Sequence, residues 1–407
     1  MRQVIHVSSP STPSIRDLLS SLMWPVFVPG TTTATVQTAV LVLLPLYVLE
    51  LGYSASVAAL ILGTRGVGQL IGDIPAALVA GRFGDKASLI CGTSGYCIGY
   101  GIIAVVTDPV MLAIGGFIAG FGMSFSLIGR QAYVTQRAAP HQRGRAISLM
   151  AGAMRIGALL GPLIGGLIAS AIGYQQSFLL LVALCVVSLL IVMVGAESGT
   201  AEADHSSHSP KAILAVIHEY RHTFMTAGLA MLSLQFMRAG RVTLLPLAGA
   251  AIGLDVASIG FIVAAAAAVD TLLFMPSGIV MDRHGRKPVA IASLLTFAIG
   301  LALVGWADTY ATLLAAALLV GFANGISAGL VMVLGSDHAP EKGRARFLGV
   351  WKLVSDLGNA AAPLAIGGLL GITTLLIGAQ IVALSGVGGL LMVTRMKETL
   401  QAPQTSP

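Results

Sequence analysis

Long apolar stretches recur along the whole chain, and most have the length at which a helix crosses a membrane. About 20 helical residues span the ~30 Å hydrocarbon core of a bilayer. Only 10% of the 407 residues are charged and 56% are hydrophobic, whereas a soluble domain carries about 25% charged residues. The sequence therefore predicts an all-α integral membrane protein with twelve transmembrane helices, at residues 24–48, 55–80, 87–106, 109–135, 146–170, 175–195, 223–250, 256–281, 288–306, 309–335, 346–370 and 373–394.

The charged residues between these spans are divided unequally between the two sides of the membrane. One side carries many basic residues: Arg82, Lys86, Arg137, Arg143, Arg145, Lys211, Arg221, Arg283, Arg286, Lys287, Lys342, Arg344 and Arg346. The other side carries no Lys or Arg, and its charges are Glu50, Asp108, Asp255 and Asp308. The positive-inside rule places the basic side and both termini in the cytoplasm, which predicts a multi-pass protein of a bacterial-type inner membrane. The net charge of +6 follows from this topology, so we expect no nucleic-acid partner.

An internal repeat relates the two halves of the chain. The stretch that begins at Leu43 aligns without a gap with the stretch that begins at Leu244, at a constant offset of 201 residues that also pairs Pro162 with Pro363. Two parallel repeats of six spans predict two pseudo-symmetric six-helix bundles related by an axis along the membrane normal. The predicted organisation is a cytoplasmic segment 1–23, an N-terminal bundle 24–195, a cytoplasmic linker 196–222, a C-terminal bundle 223–394 and a cytoplasmic tail 395–407.

Two kinds of motif mark the loops and one of the spans. GIVMDRHGRK, between spans eight and nine, matches G-x-x-x-D-R-x-G-R-K at every specified position, and ALVAGRFGDK, between spans two and three, keeps part of that pattern. Span five contains G-x-x-x-G-P-x-x-G-G. The motif residues are Gly278, Asp282, Arg283, Gly285, Arg286 and Lys287 in the first loop, Arg82 and Asp85 in the second, and Gly157, Gly161, Pro162, Gly165 and Gly166 in span five.

The motifs and the repeat resemble those of the major facilitator superfamily. The resemblance implies the major facilitator fold, in which spans one, four, seven and ten line a central cavity. It also implies that spans two with eleven, and five with eight, form the seams between the bundles. In that family the span-five motif is associated with proton-coupled exporters of drugs and related solutes.

The loop motifs are candidates for gating. Asp282 would cap a neighbouring helix only while the bundles are closed on the cytoplasmic side, and would act as a latch on that conformation. In the second loop Gly81 replaces the motif aspartate, so that the latch is lost there or passes to Asp85. The alternative is that the loops only set the topology, and that the span-five glycines only allow close packing.

Ionisable groups within the spans are costly and are therefore functional candidates. Arg155 and Asp270 fall on the five–eight seam, where we expect them to pair. The two–eleven seam offers two cations and two acids: Arg65, Lys352, Asp73 and Asp356. Such pairs either hold the seams permanently or break and re-form as the bundles rock, with an aspartate taking up a proton when its partner leaves. Asp270 is the leading proton site because its flanking residues are wholly apolar.

Polar residues on the spans that face the cavity predict the substrate site. Arg238 lies beside Gln235 in span seven, and Gln37 has its register position in span one. Hydroxyl groups near Gln37 and no acid in the body of span one suit an anionic or neutral polar solute, although Arg241 or Arg238 could instead pair with a seam aspartate. Arg130, in span four, either contacts the substrate or is a snorkelling or gating residue. The candidate substrate-binding residues are Arg238, Gln37, Thr38, Gln235, Asn324 and Arg130.

The sequence thus predicts a secondary active transporter that moves a small organic solute by alternating access. Proton-coupled efflux by antiport is the leading hypothesis, and an organic-anion uptake symporter or uniporter is the alternative, with a non-transporting membrane sensor more remote. An enzyme is disfavoured because the spans contain no histidine and no cluster of nucleophile and base. No G-x-x-x-x-G-K-[ST] loop is present to bind ATP. We expect no metal and no cofactor, and a monomer whose partners are the solute, protons and the lipid bilayer.

Overall fold

The computed structural model describes residues 20–139, 141–198 and 210–400, and within these ranges it contains helices and turns but no strand. Ten of the described helices have the length and hydropathy to cross a membrane. One of them, Ala55–Val105, holds two spans, because Gly84 in its middle has a φ of 85° and interrupts the helix. The seventh span, which carries Arg238 and Arg241, completes twelve. The predicted all-α membrane fold is confirmed.

The helices that cross the membrane are labelled in chain order. Helices α2 and α3 are residues 55–83 and 85–105 of the interrupted helix. Short π-helical turns, Met23–Phe27 and Phe224–Gly228, lead into α1 and α7. The remaining bounds are α1 Val28–Glu50, α4 Pro109–Arg137, α5 Arg143–Ile172, α6 Tyr174–Gly195, α7 Leu229–Ala251, α8 Val256–His284, α9 Arg286–Trp306, α10 Tyr310–Ile326 with its continuation Leu330–His338, α11 Arg344–Leu370 and α12 Leu375–Arg395.

The predicted linker and terminal segments are described only in part. Residues 1–19, 199–209 and 401–407 lie outside the described ranges. Within the linker predicted at 196–222 the chain forms a short helix, Pro210–Glu219. Val216 of that helix is buried, so part of the linker is packed against the C-terminal bundle instead of extending through solvent.

The two ends of the helix bundle differ in charge. Helix ends on one side carry the motif loops with Arg82, Arg286 and Lys287, and we call this side the basic face. The other side, called here the opposite face, carries Glu50, Asp108, Asp255 and Asp308 but no Lys or Arg in its loops, and its helices begin at side-chain caps. Ser54, Asp108, Thr309 and Thr374 accept hydrogen bonds from backbone N–H groups in the first turns of α2, α4, α10 and α12. Such caps satisfy the free N–H groups with which a helix begins.

The bundles meet along two seams, α2 against α11 and α5 against α8, and both are tight near the opposite face. A Cβ atom on Gly66 of α2 would lie 2.7 Å from the Ala360 Cα atom of α11. On the other seam, a Cβ atom on Gly260 would lie 2.5 Å from the Pro162 carbonyl oxygen. Ser56 Oγ donates to the Gly367 carbonyl at 2.6 Å across the first seam. Small residues allow this approach, since association of helices in lipid depends on close packing.

The same seams are open toward the basic face. A Cβ atom on Gly152 of α5, Gly278 of α8 or Gly349 of α11 would have no atom outside its own helical turn within 4 Å. The described helices therefore form a V, with its closed end at the opposite face and its open end at the basic face.

This asymmetry predicts opposite effects for one substitution at two sites of α8. Gly260→Ala should lower the stability of the purified protein by about 1–3 kcal/mol, because its methyl group overlaps the α5 backbone. Gly278→Ala should be neutral or stabilising by up to ~1 kcal/mol, because the site is open and Ala favours helix. Thermal unfolding in one detergent compares the two variants. Equal midpoints for the two variants would contradict the closed seam.

Candidate functional site

A cavity of about 360 Å³ lies between the bundles, midway along the seam helices. Four arginines reach its wall, two from each bundle: Arg65, Arg155, Arg238 and Arg241. Amide groups add neutral donors and acceptors: Gln69, Gln235, Asn324 and Asn359. Among the described residues that line this cavity there is no Asp or Glu. The wall is therefore electropositive and rich in hydrogen-bond donors.

Asp270 lies beside this wall and is the carboxylate toward which several of these groups converge. Arg155 Nη1 donates to Asp270 Oδ1 at 2.7 Å across the α5–α8 seam, and Asn324 Nδ2 donates to Oδ2 at 2.6 Å. Arg241 Nη2 lies 3.9 Å from the same Oδ2 atom. The Arg155 guanidinium also lies over the ring of Phe274, 4.2 Å from its centre. One carboxylate thus serves two guanidiniums, which leaves an excess of positive charge.

Arg238 is held by neutral acceptors at a break in α10. Its Nη1 atom donates to Gln235 Oε1 at 2.9 Å, and its Nη2 atom donates to the Ser327 carbonyl and hydroxyl at 2.8 and 2.9 Å. The sequence predicts one uninterrupted span here, but α10 ends at Ile326 and resumes at Leu330, with Gly329 at a φ of 80°. The Ser327 carbonyl also accepts from the Leu330 N–H group at 3.1 Å, so Arg238 and the turn that interrupts the helix share this acceptor.

Arg65, from α2 of the N-terminal bundle, lies on the same cavity wall. Its Nη2 atom donates to Gln37 Oε1 at 3.1 Å and contacts the Met123 sulfur, and Gln37 in turn donates to the Tyr96 hydroxyl. Gln37 is buried behind the wall and acts on the cavity through Arg65. The sequence offered Arg65 as a partner for the aspartates of the α2–α11 seam, whereas the structure turns it toward Gln37.

Thr38 and Arg130 lie away from the wall of the main cavity. Thr38 lines a smaller pocket of about 100 Å³ that shares Arg155 and Arg241 with it. Arg130 is buried between α1 and α4, where its Nη1 atom donates to the Thr33 hydroxyl at 3.0 Å. It does not line the main cavity, so this conformation favours its gating hypothesis over direct substrate contact.

Lys352 forms both of the acidic contacts on the α2–α11 seam. Its Nζ atom donates at 2.6 Å to Asp73 of the other bundle and at 2.6 Å to Asp356 of its own helix. Two carboxylates share one ammonium group here, the reverse of the balance at Asp270.

Four polar wall residues were not among the candidate site residues: Gln69, Arg241, Thr243 and Asn359. Asn359 and Gln69 line the cavity, and Arg241 lies between the cavity and Asp270. The repeat held a signal for one of them, because Gln69 occupies the register position of Asp270. Arg241 was considered only as a partner for a seam aspartate.

Comparison with known proteins gives the family. The family model of the Major Facilitator Superfamily matches residues 27–240 and again residues 227–406. The chain belongs to this superfamily. It is therefore a membrane transporter of the superfamily and not an enzyme.

Individual relatives within the superfamily are distant. An uncharacterized MFS-type transporter of Methanocaldococcus jannaschii is 21% identical over 348 residues, 84% of this chain and 90% of that protein. Multidrug resistance protein MdtH of Photorhabdus laumondii is 33% identical over 119 residues, which are only 29% of this chain and 30% of that protein. A variant of the nucleoside transporter NupG superposes with a TM-score of 0.76 at 16% identity, over 93% of this chain and all of that one. That structural likeness shows the fold.

The superfamily motif of span five is a packing surface for two neighbours. A Cβ atom on Gly157 or Gly161 would collide with α1, at the Thr31 carbonyl and the Thr38 hydroxyl. Gly165 faces α1 as well, whereas Gly166 faces α8 across the seam. The motif therefore fixes how α1 and α8 pack on α5, directly beside the Arg155–Asp270 pair.

The two loop motifs hold ion pairs of reversed polarity. In the N-terminal bundle the fully buried Asp85 accepts from Arg137 at the end of α4. In the C-terminal bundle Arg286, the register mate of Asp85, donates to Asp337 Oδ2 near the end of α10 at 3.1 Å. Each of these two ion pairs joins residues of a single bundle, so neither pair connects the bundles. Asp282 is 75% exposed and lies 3.5 Å from Arg286, so in this open conformation it makes no contact with the other bundle among the described residues.

The first residues after α12 pack against the loop motif of the C-terminal bundle. Glu398 accepts hydrogen bonds from the backbone N–H groups of Arg286 and Lys287, each at 2.9 Å, and so caps α9. The Lys287 ammonium donates to the Thr394 and Met396 carbonyls at the end of α12. Partial burial raises the pKa of the Glu398 carboxyl, but its backbone N–H donors together outweigh burial and hold that pKa below its ordinary value. The ionised form is the one that these donors stabilise.

The Glu398 cap predicts a pH-dependent contribution to stability. Because the pKa is depressed in the folded state, the contribution is present above the ordinary carboxyl pKa and is lost as the pH falls through the lowered value. Glu398→Gln should lower the thermal midpoint at neutral pH, at a cost of no more than about 1 kcal/mol for an exposed cap. The difference from the parent should vanish in acid. Glu341→Gln, at an exposed glutamate of the same face, is the control, and an effect of Glu398→Gln that persists in acid would refute the cap.

Proposed function

We propose that this transporter carries a small organic anion by alternating access. The observation that supports the proposal is the charge balance of the cavity, whose wall holds four guanidinium groups and no carboxylate among the described residues. Only two of the four, Arg155 and Arg241, share Asp270 beside it. Arginine forks recognise carboxylate, phosphate and sulfonate groups through paired N–H donors. A cationic solute would be repelled by the same wall. The amides around it would orient a polar body.

The proposed orientation places the basic face and both termini in the cytoplasm of a bacterial-type cell, in its inner membrane. The positive-inside rule supports it, because the motif loops on that face are basic. The conformation described above would then be open to the cytoplasm. Rocking of the bundles would open the opposite face and bring Asp282 against the end of α5, in the latch predicted from the motif.

The geometry at Asp270 supports proton coupling in which the proton and the anion move in the same direction. A bound anion and the Asp270 carboxylate compete for the Arg155 guanidinium. When the anion takes Arg155, the Asp270 carboxylate loses its closest cationic partner, and a proton would neutralise the carboxylate in place of Arg155. Proton and anion therefore bind best together, which favours co-transport. An inward proton gradient would then drive uptake of the anion against the negative potential of the cell interior.

Export by proton antiport is the second candidate. The span-five motif supports it, as does the partial similarity to a multidrug resistance protein. Export of an anion is also favoured by the membrane potential, by ~2.3 kcal/mol per charge at 100 mV. Antiport requires that cargo and proton exclude each other, which a solute that donates hydrogen bonds to Asp270 itself would achieve.

The proposed cargo class is tested at Arg238. Organic acids should raise the thermal midpoint of the purified protein, whereas their uncharged amides should not, since a ligand of the folded state stabilises it. Arg238→Gln should weaken acid binding about 10- to 100-fold, the value of a lost charged hydrogen bond. Arg395→Gln removes the same charge at an exposed site of α12 and should leave binding unchanged. Equal stabilisation by acids and amides would contradict an anionic cargo.

The direction of coupling is tested separately in proteoliposomes. Co-transport predicts that a labelled anion accumulates when the exterior is made acidic, and antiport predicts that it accumulates when the interior is made acidic. The potential is clamped with potassium and valinomycin, so that only the pH gradient acts. Accumulation toward the acidic side would reject co-transport in favour of antiport.

A further inference from the structure

Two of the cavity arginines have no acidic partner. Among the described residues, no carboxylate oxygen lies within 4.0 Å of the nitrogens of Arg65 or Arg238, whereas Arg155 and Arg241 share Asp270. The Nε atom of each is buried without a hydrogen-bond partner. Both side chains are partly buried, and a guanidinium without a counter-charge at such an interior site is costly. Both sites therefore favour negative charge that the described residues do not supply.

The two guanidiniums belong to different bundles and face the same space. Arg65 comes from α2 and Arg238 from α7, and both line the central cavity. Each is oriented by neutral oxygens, Gln37 Oε1 for one and the Ser327 carbonyl for the other. Such acceptors fix the direction of the side chain and leave its charge unneutralised. Arg130 also has an unpartnered Nε atom, but it lies outside the wall of this cavity.

We infer that the cargo carries two separate acidic groups, one bound at Arg65 and the other at Arg238, where the second group also meets the Arg155 guanidinium of the same cavity wall. The inference rests on the proposed function and narrows it from an organic anion to a dianion that bridges the bundles. A monoanion would neutralise one guanidinium and leave the other exposed to the same low-dielectric space. A dianion neutralises both at once and ties the bundles together through itself.

The bridge has a consequence for the transport cycle. Arg65 and Arg238 are fixed to opposite halves of the V, so their separation changes as the bundles rock. A cargo that spans them is bound most tightly in the conformation whose arginine spacing fits its own length. Binding of a dianion of the right length therefore shifts the population toward that conformation. A shorter or longer dianion, or a monoanion, shifts it less.

The test uses α,ω-dicarboxylates from succinate to suberate, each paired with the monocarboxylate of the same carbon number. At neutral pH all of their carboxyl groups are ionised in water. Titration of the purified full chain, followed by thermal midpoint and by calorimetry, gives the dissociation constants. We expect at least one dicarboxylate to bind about tenfold more tightly than its monocarboxylate, with an optimum at one chain length.

Variants show whether Arg65 is the second anchor. Arg65→Gln should abolish the preference for dicarboxylates, because it weakens dicarboxylate binding far more than monocarboxylate binding, and Arg65→Lys should restore part of the preference. Arg395→Gln should keep it in full. Folding of each variant is checked by its own unfolding midpoint without ligand, and Arg65→Lys keeps the test valid if the glutamine variant is unstable.

An alkylphosphonate of equal length separates a true bridge from a simple charge effect, because it places its negative charge on a single group. It should bind less tightly than the dicarboxylate of the best length, because it cannot reach both arginines. Its affinity should show no optimum of chain length. Equal binding of dicarboxylates and monocarboxylates overturns the two-group inference while the anion proposal stands. Binding of uncharged amides in preference to every acid overturns the anion proposal itself.

Discussion

The cost of burying charge in a lipid-bounded interior is the constraint on which this transporter depends. Arg155 and Asp270 satisfy it by pairing across the α5–α8 seam at 2.7 Å, and Asn324 and Arg241 share the same carboxylate. The pair cannot separate at this level unless another charge or a proton replaces the missing partner. In the proposed cycle these replacements are an anion at Arg155 and a proton on Asp270. Cargo binding, protonation and movement of the bundles would then be linked at one seam.

The two bundles share a backbone plan but divide the chemistry between them. Gly84 and Gly285 interrupt the helical backbone at equivalent loops, with φ of 85° and 95°. The ion pairs beside these two glycines nevertheless have reversed polarity. Gln37 occupies the place of Arg238, and Gln69 that of Asp270. A neutral amide therefore stands in one half wherever a charge stands in the other at these positions. The charged member of each of these two pairs lies in the C-terminal half.

Much of this could be predicted from the sequence, and the failures have physical causes. The length of the apolar runs and the 201-residue register predict twelve helices in two bundles, because backbone in lipid must satisfy its hydrogen bonds within helices. Hydropathy does not determine how each helix is rotated about its axis, so Arg65 was assigned to a seam and lies on the cavity. The break in α10 escaped because Gly is common in unbroken membrane helices. Asn324, a predicted substrate-binding residue, lines the cavity and also donates to Asp270.

The most direct test of the proposed link between anion binding and protonation of Asp270 is the number of protons exchanged when an anion binds at equilibrium. Calorimetric titration of the tightest-binding carboxylate, repeated in buffers of different ionisation enthalpy, measures that number without any membrane gradient. The account predicts net proton uptake by the parent protein, and binding without uptake in Asp270→Asn, whose amide keeps the shape of the side chain and cannot titrate. Proton release on binding, or the same uptake in the variant, would contradict it.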